Sequence, residues 1–207
     1  MAGEPDKVDL KKLLEKQMER AKEQNGLPAR GAFITEEFVR ELFTLENIKE
    51  QLKDDVDTQS YSTYNIRQLA QFIKDKGKKL YAVLILLDQS PLIRPLFERT
   101  PQVTDSFLFE TPRSGFASLP CPMEKLKSIK HLADIADDFY QKQFVFPPSL
   151  TADETQDFHP RFFMFPFSSK PQRLNNGAYG EVYAVNLPKG YLEPHTNITE
   201  ESTKVLN

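Results

Sequence analysis

The 207-residue chain has one cysteine, Cys121, and no tryptophan. A single cysteine excludes an intramolecular disulfide framework and is typical of a reducing compartment, so an intracellular protein, cytoplasmic or nuclear, is predicted. No histidine or basic cluster lies next to Cys121 in the sequence to activate its thiol. A structural role is therefore favoured over a reactive one.

Long hydrophobic runs are also absent. The longest, Leu80 to Leu87, covers eight residues, whereas a bilayer-spanning helix needs about 20. Residues Met1 to Asp9 are polar and charged and do not form a secretory signal. The formal net charge of −3 provides no basic field suited to nucleic acid. We therefore expect a soluble protein that binds neither membranes nor nucleic acid.

Residue patterns typical of hydrolytic or metal chemistry are missing too. The histidines at positions 131, 159 and 195 are scattered, and His131 has no partner histidine or cysteine at metal-ligand spacing. Asp134, Asp137 and Asp138 could attract a cation, but a solvated acidic helix face is favoured. The sequence predicts no catalytic residue and no metal site.

Residues 1–30 are interpreted as a charged terminal helix. Between Asp6 and Gln24 the apolar residues recur at helical spacing, and Asn25-Gly26-Leu27-Pro28 ends the pattern. The stripe spans about two heptads, fewer than a coiled coil needs. A solvated, fraying helix is favoured over a docking helix.

Residues 31–145 form the predicted helical region. Thr35 and Thr44 are plausible N-caps of two short amphipathic helices, and Tyr64–Lys76 forms a third that ends at Gly77. The run Leu80–Leu87 has no polar side and fits a strand or a buried helix. Its helical neighbours favour a central core helix. Four lysines around Gly77 are attributed to the helix end rather than to an anionic partner: Lys74, Lys76, Lys78 and Lys79.

Three further segments complete this region. Ser90 and Pro91 predict a helix start, with Ser90 as the N-cap. The prolines between Thr100 and Pro122 predict an extended connection. Apolar residues at threes and fours predict one helix from Met123 to Gln143.

Residues 146–207 are interpreted as an aromatic segment followed by a small hairpin. Residues 161–167 are the most aromatic stretch and predict a buried extended segment, with a peptide-binding platform as the alternative. Further on, Gly177 and Gly180 lie three apart and precede Val182-Tyr183-Ala184-Val185, which favours a strand. A glycine turn lets the backbone approach a ligand closely, as phosphate-binding loops require. The alternative is a purely structural hairpin.

This glycine string resembles the glycine-rich loop of protein kinases, with Asn175 at the position of the first glycine. The order of features along the chain is similar to that of a family of fungal protein-kinase-like proteins, in which a helical region leads into the first kinase strands. The matching stretches are Phe38–Leu52, Leu80–Leu87, Gln143–Pro148 (QFVFPP), Met164–Phe167 (MFPF) and Asn176–Val185.

The resemblance implies an ATP site. Val182 would pack on the adenine, and Lys204, 22 residues beyond Val182, is the only candidate for the lysine that pairs with the phosphates. The residues that would lie over the phosphates are Gly177, Ala178, Tyr179 and Gly180.

The sequence lacks the H-R-D and D-F-G segments on which kinase catalysis depends. We therefore expect a truncated kinase-like protein with weak or absent ATP binding and no phosphotransfer by itself. The predicted fold is α+β: a mainly α-helical region with a protein-interaction or regulatory role, followed by a small antiparallel hairpin as a partial kinase N-lobe. The alternative is a stand-alone helical interaction module with a structural hairpin.

Overall fold

The computed structural model describes residues 8–25, 33–55, 63–109, 121–147, 172–177, 180–186 and 203–206. Most of these residues are helical. The helices are α1 (Leu10–Asn25), α2 (Glu36–Leu42), α3 (Leu45–Asp55), α4 (Thr63–Lys76), α5 (Lys78–Leu86), α6 (Ile93–Arg99), α7 (Asp105–Phe109), α8 (Met123–Ser128) and α9 (Ala136–Lys142). Short 3-10 turns cover Ser90–Leu92, Ala133–Ile135 and Gln143–Val145. The strands are β1 (Gln172–Gly177), β2 (Gly180–Asn186) and β3 (Thr203–Leu206).

The chain divides into two compact units. The described parts of residues 1–16, 37–110 and 118–143 form a helical unit. The described parts of residues 17–36, 111–117 and 144–207 form the second unit, which contains the strands. In the second unit the amide of Ile34 donates a hydrogen bond to the carbonyl of Val145 at 2.7 Å. The predicted division into residues 1–30, 31–145 and 146–207 stays a prediction.

Helix α5 is the centre of the helical unit. Its residues from Leu80 to Leu86 are all buried, and α4, α7 and α9 contact it. The ring of Tyr81 meets Phe43 edge-on, with centroids 6.1 Å apart. A helix that is apolar on every side must be buried all round, and each large aliphatic side chain buried here contributes about 1.5–3 kcal/mol. The predicted central core helix is confirmed.

The helices before α5 also follow the predicted pattern. The amide of Asn47 donates to the hydroxyl of Thr44 at 3.2 Å, so Thr44 caps α3 as expected. Helix α3 packs against α4, and each buries most of the residues that the periodicity places on one face, although Leu45 and Ile66 are only half-buried. The buried residues are Ile48 and Leu52 on α3 and Leu69, Ala70 and Ile73 on α4.

The interpretation of α1 as a solvated, fraying helix is wrong. Leu10 and Leu14 are both 0% exposed, and the Lys11 ammonium lies 2.6 Å from both carboxylate oxygens of Asp88. Two heptads are too few for a coiled coil, but an apolar stripe of that length is enough to pack on a globular core.

The single helix predicted from Met123 to Gln143 is also wrong, because the backbone turns between α8 and α9. Ile129 is extended, with φ −88° and ψ 107°, and the Ser128 hydroxyl donates to the carbonyl of Lys125 at 2.7 Å. Such a local side-chain bond competes with helix continuation. The turn buries Ile129 and Leu132, which the apolar spacing alone assigned to a continuous stripe.

The segment predicted as an extended connection between Thr100 and Pro122 contains the helix α7. The amide of Phe107 donates to the Thr104 hydroxyl at 3.3 Å, which caps this short helix. Leu108 is buried, whereas Phe107 is 36% exposed. Residues 110–120 lie outside the described part of the chain.

The three strands pair antiparallel in the order β1-β2-β3, with an irregularity between Arg173 and Asn175. Ala178 and Tyr179, the residues of the predicted turn, lie outside the described residues, as does the aromatic stretch 161–167. The mainly helical part of the fold prediction is confirmed. The small hairpin as a partial kinase N-lobe stays a prediction.

Candidate functional site

The two glycines of the predicted loop face each other across β1 and β2. Gly177 is the last residue of β1, Gly180 is the first of β2, and their Cα atoms are paired in the register. Only two residues separate them in the sequence, the shortest common connection between antiparallel strands. Positions without a Cβ leave the backbone there accessible to a ligand.

The other two predicted nucleotide contacts lie on β2 and β3. Val182 pairs with Asn175 of β1, and Lys204 pairs with Val185 of β2. Successive positions of a strand belong to opposite faces of the sheet. Positions 182 and 185 are three residues apart and therefore belong to opposite faces. Position 204 is paired with position 185 and belongs to the same face as that position. The register does not bring positions 182 and 204 to one face. Their roles at a nucleotide, like that of the glycine loop, stay predictions.

A second polar arrangement lies inside the helical unit, around the carboxylate of Asp55. The Tyr81 hydroxyl donates to one oxygen of Asp55, and the Ser90 hydroxyl donates to the other at 2.7 Å. Desolvation, reinforced by the negative charge of Asp55, raises the pKa of Tyr81 well above 10.0, so the phenol keeps its proton. The prediction of Ser90 as an N-cap is wrong. Gln89 is the N-cap of the 3-10 turn Ser90–Leu92, and the Ser90 hydroxyl donates to Asp55 instead.

A third arrangement caps the amino end of α5. The carboxylate of Asp105 accepts hydrogen bonds from the amides of Lys79 at 2.9 Å and Leu80 at 2.8 Å. Burial raises the pKa of Asp105 from 3.8 to about 6, and the bonds from these amides oppose that shift. The local N-cap, Gly77, has no side chain to do this. Asp105, which lies 25 positions beyond Leu80 in the chain, therefore satisfies the helix end.

Neither arrangement was found from the sequence. Asp55 lies in a polar stretch whose composition predicts a connector. Asp105 lies in a stretch between two prolines, which also predicts a connector. The only sequence feature that pointed to Asp105 was the lack of a local cap: α5 begins after a glycine and has no acidic residue in its first turn. An uncapped, buried helix start indicates that a cap must come from elsewhere.

The remaining candidates behave as structural residues. Cys121 is buried, and the side-chain amide of Gln143 bonds both its backbone N–H and its carbonyl, at 3.0 and 3.2 Å. Burial raises the pKa of its thiol, so the reactive thiolate is disfavoured. Asp134, Asp137 and Asp138 are exposed, and Asp137 lies 3.6 Å from the ammonium of Lys127. Within the described ranges, no three His, Cys, Asp or Glu side chains are grouped to hold a metal ion.

Comparison with known proteins gives no relative: no family model, no curated protein and no solved structure matches the chain. In the part of the chain that the structure describes, every helix is too short or too polar to cross a bilayer.

Proposed function

We propose that this chain combines a helical interaction or regulatory region with the glycine-rich, ATP-binding strand pair of a kinase-like protein, and that these 207 residues do not transfer phosphate. The observation that carries the proposal is the facing of Gly177 and Gly180 at the adjoining ends of β1 and β2. This arrangement occurs within the sequence string that resembles a kinase glycine-rich loop.

Physical chemistry supports a phosphate as the ligand. Backbone amides in a tight turn form a concave donor surface for anions, and glycine allows the closest approach of ligand to backbone. The helical unit buries an apolar core around α5. Kinase catalysis needs carboxylates for magnesium and for the substrate hydroxyl, and the sequence lacks the segments that supply them.

The test is titration of magnesium-ATP into the purified chain by calorimetry. We expect weak, saturable binding that is lost in Gly177→Val/Gly180→Val, because the added side chains occupy the space over the turn. Leu174→Val is the matched control, since it alters an exposed residue of β1 and should leave the affinity unchanged. Lys204→Ala should weaken binding more than Lys189→Ala if Lys204 pairs with phosphates.

A stand-alone helical interaction module is the alternative, and the buried apolar core around α5 in the helical unit favours it. Absence of ATP binding by a chain that circular dichroism shows to be folded would favour this module. It would leave the strand pair as a structural element.

A further inference from the structure

The three strands carry their charged residues on one face. Arg173 of β1 is paired with Tyr183 of β2, and Lys204 of β3 is paired with Val185 of β2. Positions 181, 183 and 185 of β2 belong to the same face, because successive strand positions alternate between faces. All three charged residues within the strands, Arg173, Glu181 and Lys204, are therefore placed on this face. We call it the charged face.

The opposite face holds no charged residue at the strand positions that the structure describes. Asn175 is paired there with Val182. Ala184 is paired with Gln172 on one side and with Val205 on the other. Gln172 is exposed and Ala184 is half-buried, so solvent reaches the face at these two positions. We call this the uncharged face.

An irregularity in the register between Arg173 and Asn175 places these two residues on different faces. Positions two apart in a regular strand share a face, whereas an extra residue in one strand re-aims the positions that follow it. The next residue, Asn176, is paired with Glu181 and belongs to the charged face. Two neighbouring asparagines thus belong to opposite faces of the sheet.

The composition of the uncharged face matches an adenine base. Val182, Ala184 and Val205 are apolar, and a planar base can pack on apolar positions. The side-chain amide of an asparagine offers both a hydrogen-bond acceptor and hydrogen-bond donors. Adenine presents an acceptor at N7 and a donor at N6, and asparagine binds this edge through two hydrogen bonds. Guanine presents acceptors at both N7 and O6, so the acceptor of an asparagine has no donor there.

We propose that Asn175 selects adenine over guanine at the nucleotide site, by accepting a hydrogen bond from the N6 amino group of the base and donating one to N7. The inference rests on the proposed function, because it takes ATP as the ligand of the glycine-rich strands, and it adds the residue that chooses the base. Lys204 belongs to the charged face and makes no contact with the nucleotide.

The experiment measures the affinity of the full chain for magnesium-ATP and for magnesium-GTP by calorimetry. We expect ATP to bind at least about fivefold more tightly, the lower limit for a two-bond contact between a side chain and a base. ATP in which a carbon replaces N7 (7-deaza-ATP) should bind the unmodified chain severalfold more weakly than ATP. This comparison of ligands does not depend on the folding of any variant.

The variants locate the contact. Asn175→Val should bring the affinities for ATP and GTP within about twofold of each other, because valine cannot distinguish the two bases by hydrogen bonds. Asn176→Val is the matched control: it makes the same substitution one position further along, on the charged face, and should keep the preference for ATP. Lys204→Ala should keep both the preference and the affinity for ATP. Circular dichroism checks that each variant is folded.

The outcomes separate this inference from the proposed function. No binding of either nucleotide would defeat both. Binding of ATP that is lost in Gly177→Val/Gly180→Val, together with equal affinity for GTP or an unchanged preference in Asn175→Val, would leave the proposed function standing and overturn the role of Asn175. Loss of the preference in Asn176→Val, with none in Asn175→Val, would assign the base to the charged face instead.

Discussion

The hydroxyl of Tyr81, in the middle of the helical core, donates a hydrogen bond to the carboxylate of Asp55 at the end of α3. The same carboxylate receives the hydroxyl of Ser90. One acidic side chain thus joins α3, α5 and the turn that follows α5. A buried phenol without such a partner would cost free energy, so the three side chains are expected to stabilise the fold as a set.

Removal of the Tyr81 hydroxyl should destabilise the chain without disturbing its packing. Tyr81→Phe keeps the ring against Phe43 and should lower the free energy of unfolding by about 1.5–3 kcal/mol, the range for hydrogen bonds to charged groups. Urea denaturation measures the change. In a double-mutant cycle with Ser90→Ala the two effects should not add, because both bonds end on Asp55. Strict additivity would contradict a shared network.

The stability of the chain should depend on how well the residue at position 88 tolerates a left-handed backbone conformation. It has a φ of 57° and follows the end of α5, where the amide of Gln89 bonds the carbonyl of Leu84 at 2.8 Å, as in a Schellman motif. Asp88→Asn tolerates this left-handed geometry, whereas Asp88→Ala does not. We expect thermal unfolding to show the alanine variant less stable than the asparagine variant by about 1 kcal/mol.

The Lys11–Asp88 ion pair gives the control for that comparison. Both variants of Asp88 lose the pair, so the difference between them reports the backbone alone. Asp88→Asn should remove a salt-dependent part of the stability, because exposed pairs are screened. Equal stability of the two variants would mean that the left-handed geometry carries no cost here.

Asp105 should make stability fall as the pH rises from about 4 to about 6. Burial raises its pKa from 3.8 to about 6, so between these values the folded chain holds a proton that the unfolded chain has released. Stability therefore decreases with pH over this window and is constant above it. The shift of this pKa from 3.8 to about 6 corresponds to a decrease in the free energy of unfolding of at most about 3 kcal/mol.

Asp105→Asn isolates this effect. The amide side chain still accepts a hydrogen bond from α5 but does not titrate. The free energy of unfolding of the variant should therefore not show the decrease that the titration of Asp105 causes between about pH 4 and about pH 6. The measurement is urea denaturation of both proteins across the window. Parallel pH profiles would show that Asp105 has an ordinary pKa, because its bonds to Lys79 and Leu80 cancel the effect of its burial.

The cap of α3 offers a further test. Thr44→Ala removes the oxygen that accepts the Asn47 amide and should cost about 1 kcal/mol, whereas Thr44→Ser keeps it and should cost less. Chemical denaturation of both variants distinguishes loss of the cap from loss of the threonine methyl. The same cost for both substitutions would exclude the cap as a source of stability.

The sequence by itself determined the helices from α2 to α5, because their apolar periodicity and caps such as Thr44 are local signals. It also determined the glycine string from Gly177 to Gly180, although not the facing of strand positions, since pairing between strands depends on residues far apart in the chain. Tertiary structure alone decided the turn at Ile129, where the burial of Ile129 and Leu132 outweighs the continuation of one helix. It also decided the contacts of Asp55 and Asp105, because a polar side chain within a connector gains its partner only when distant helices pack against it.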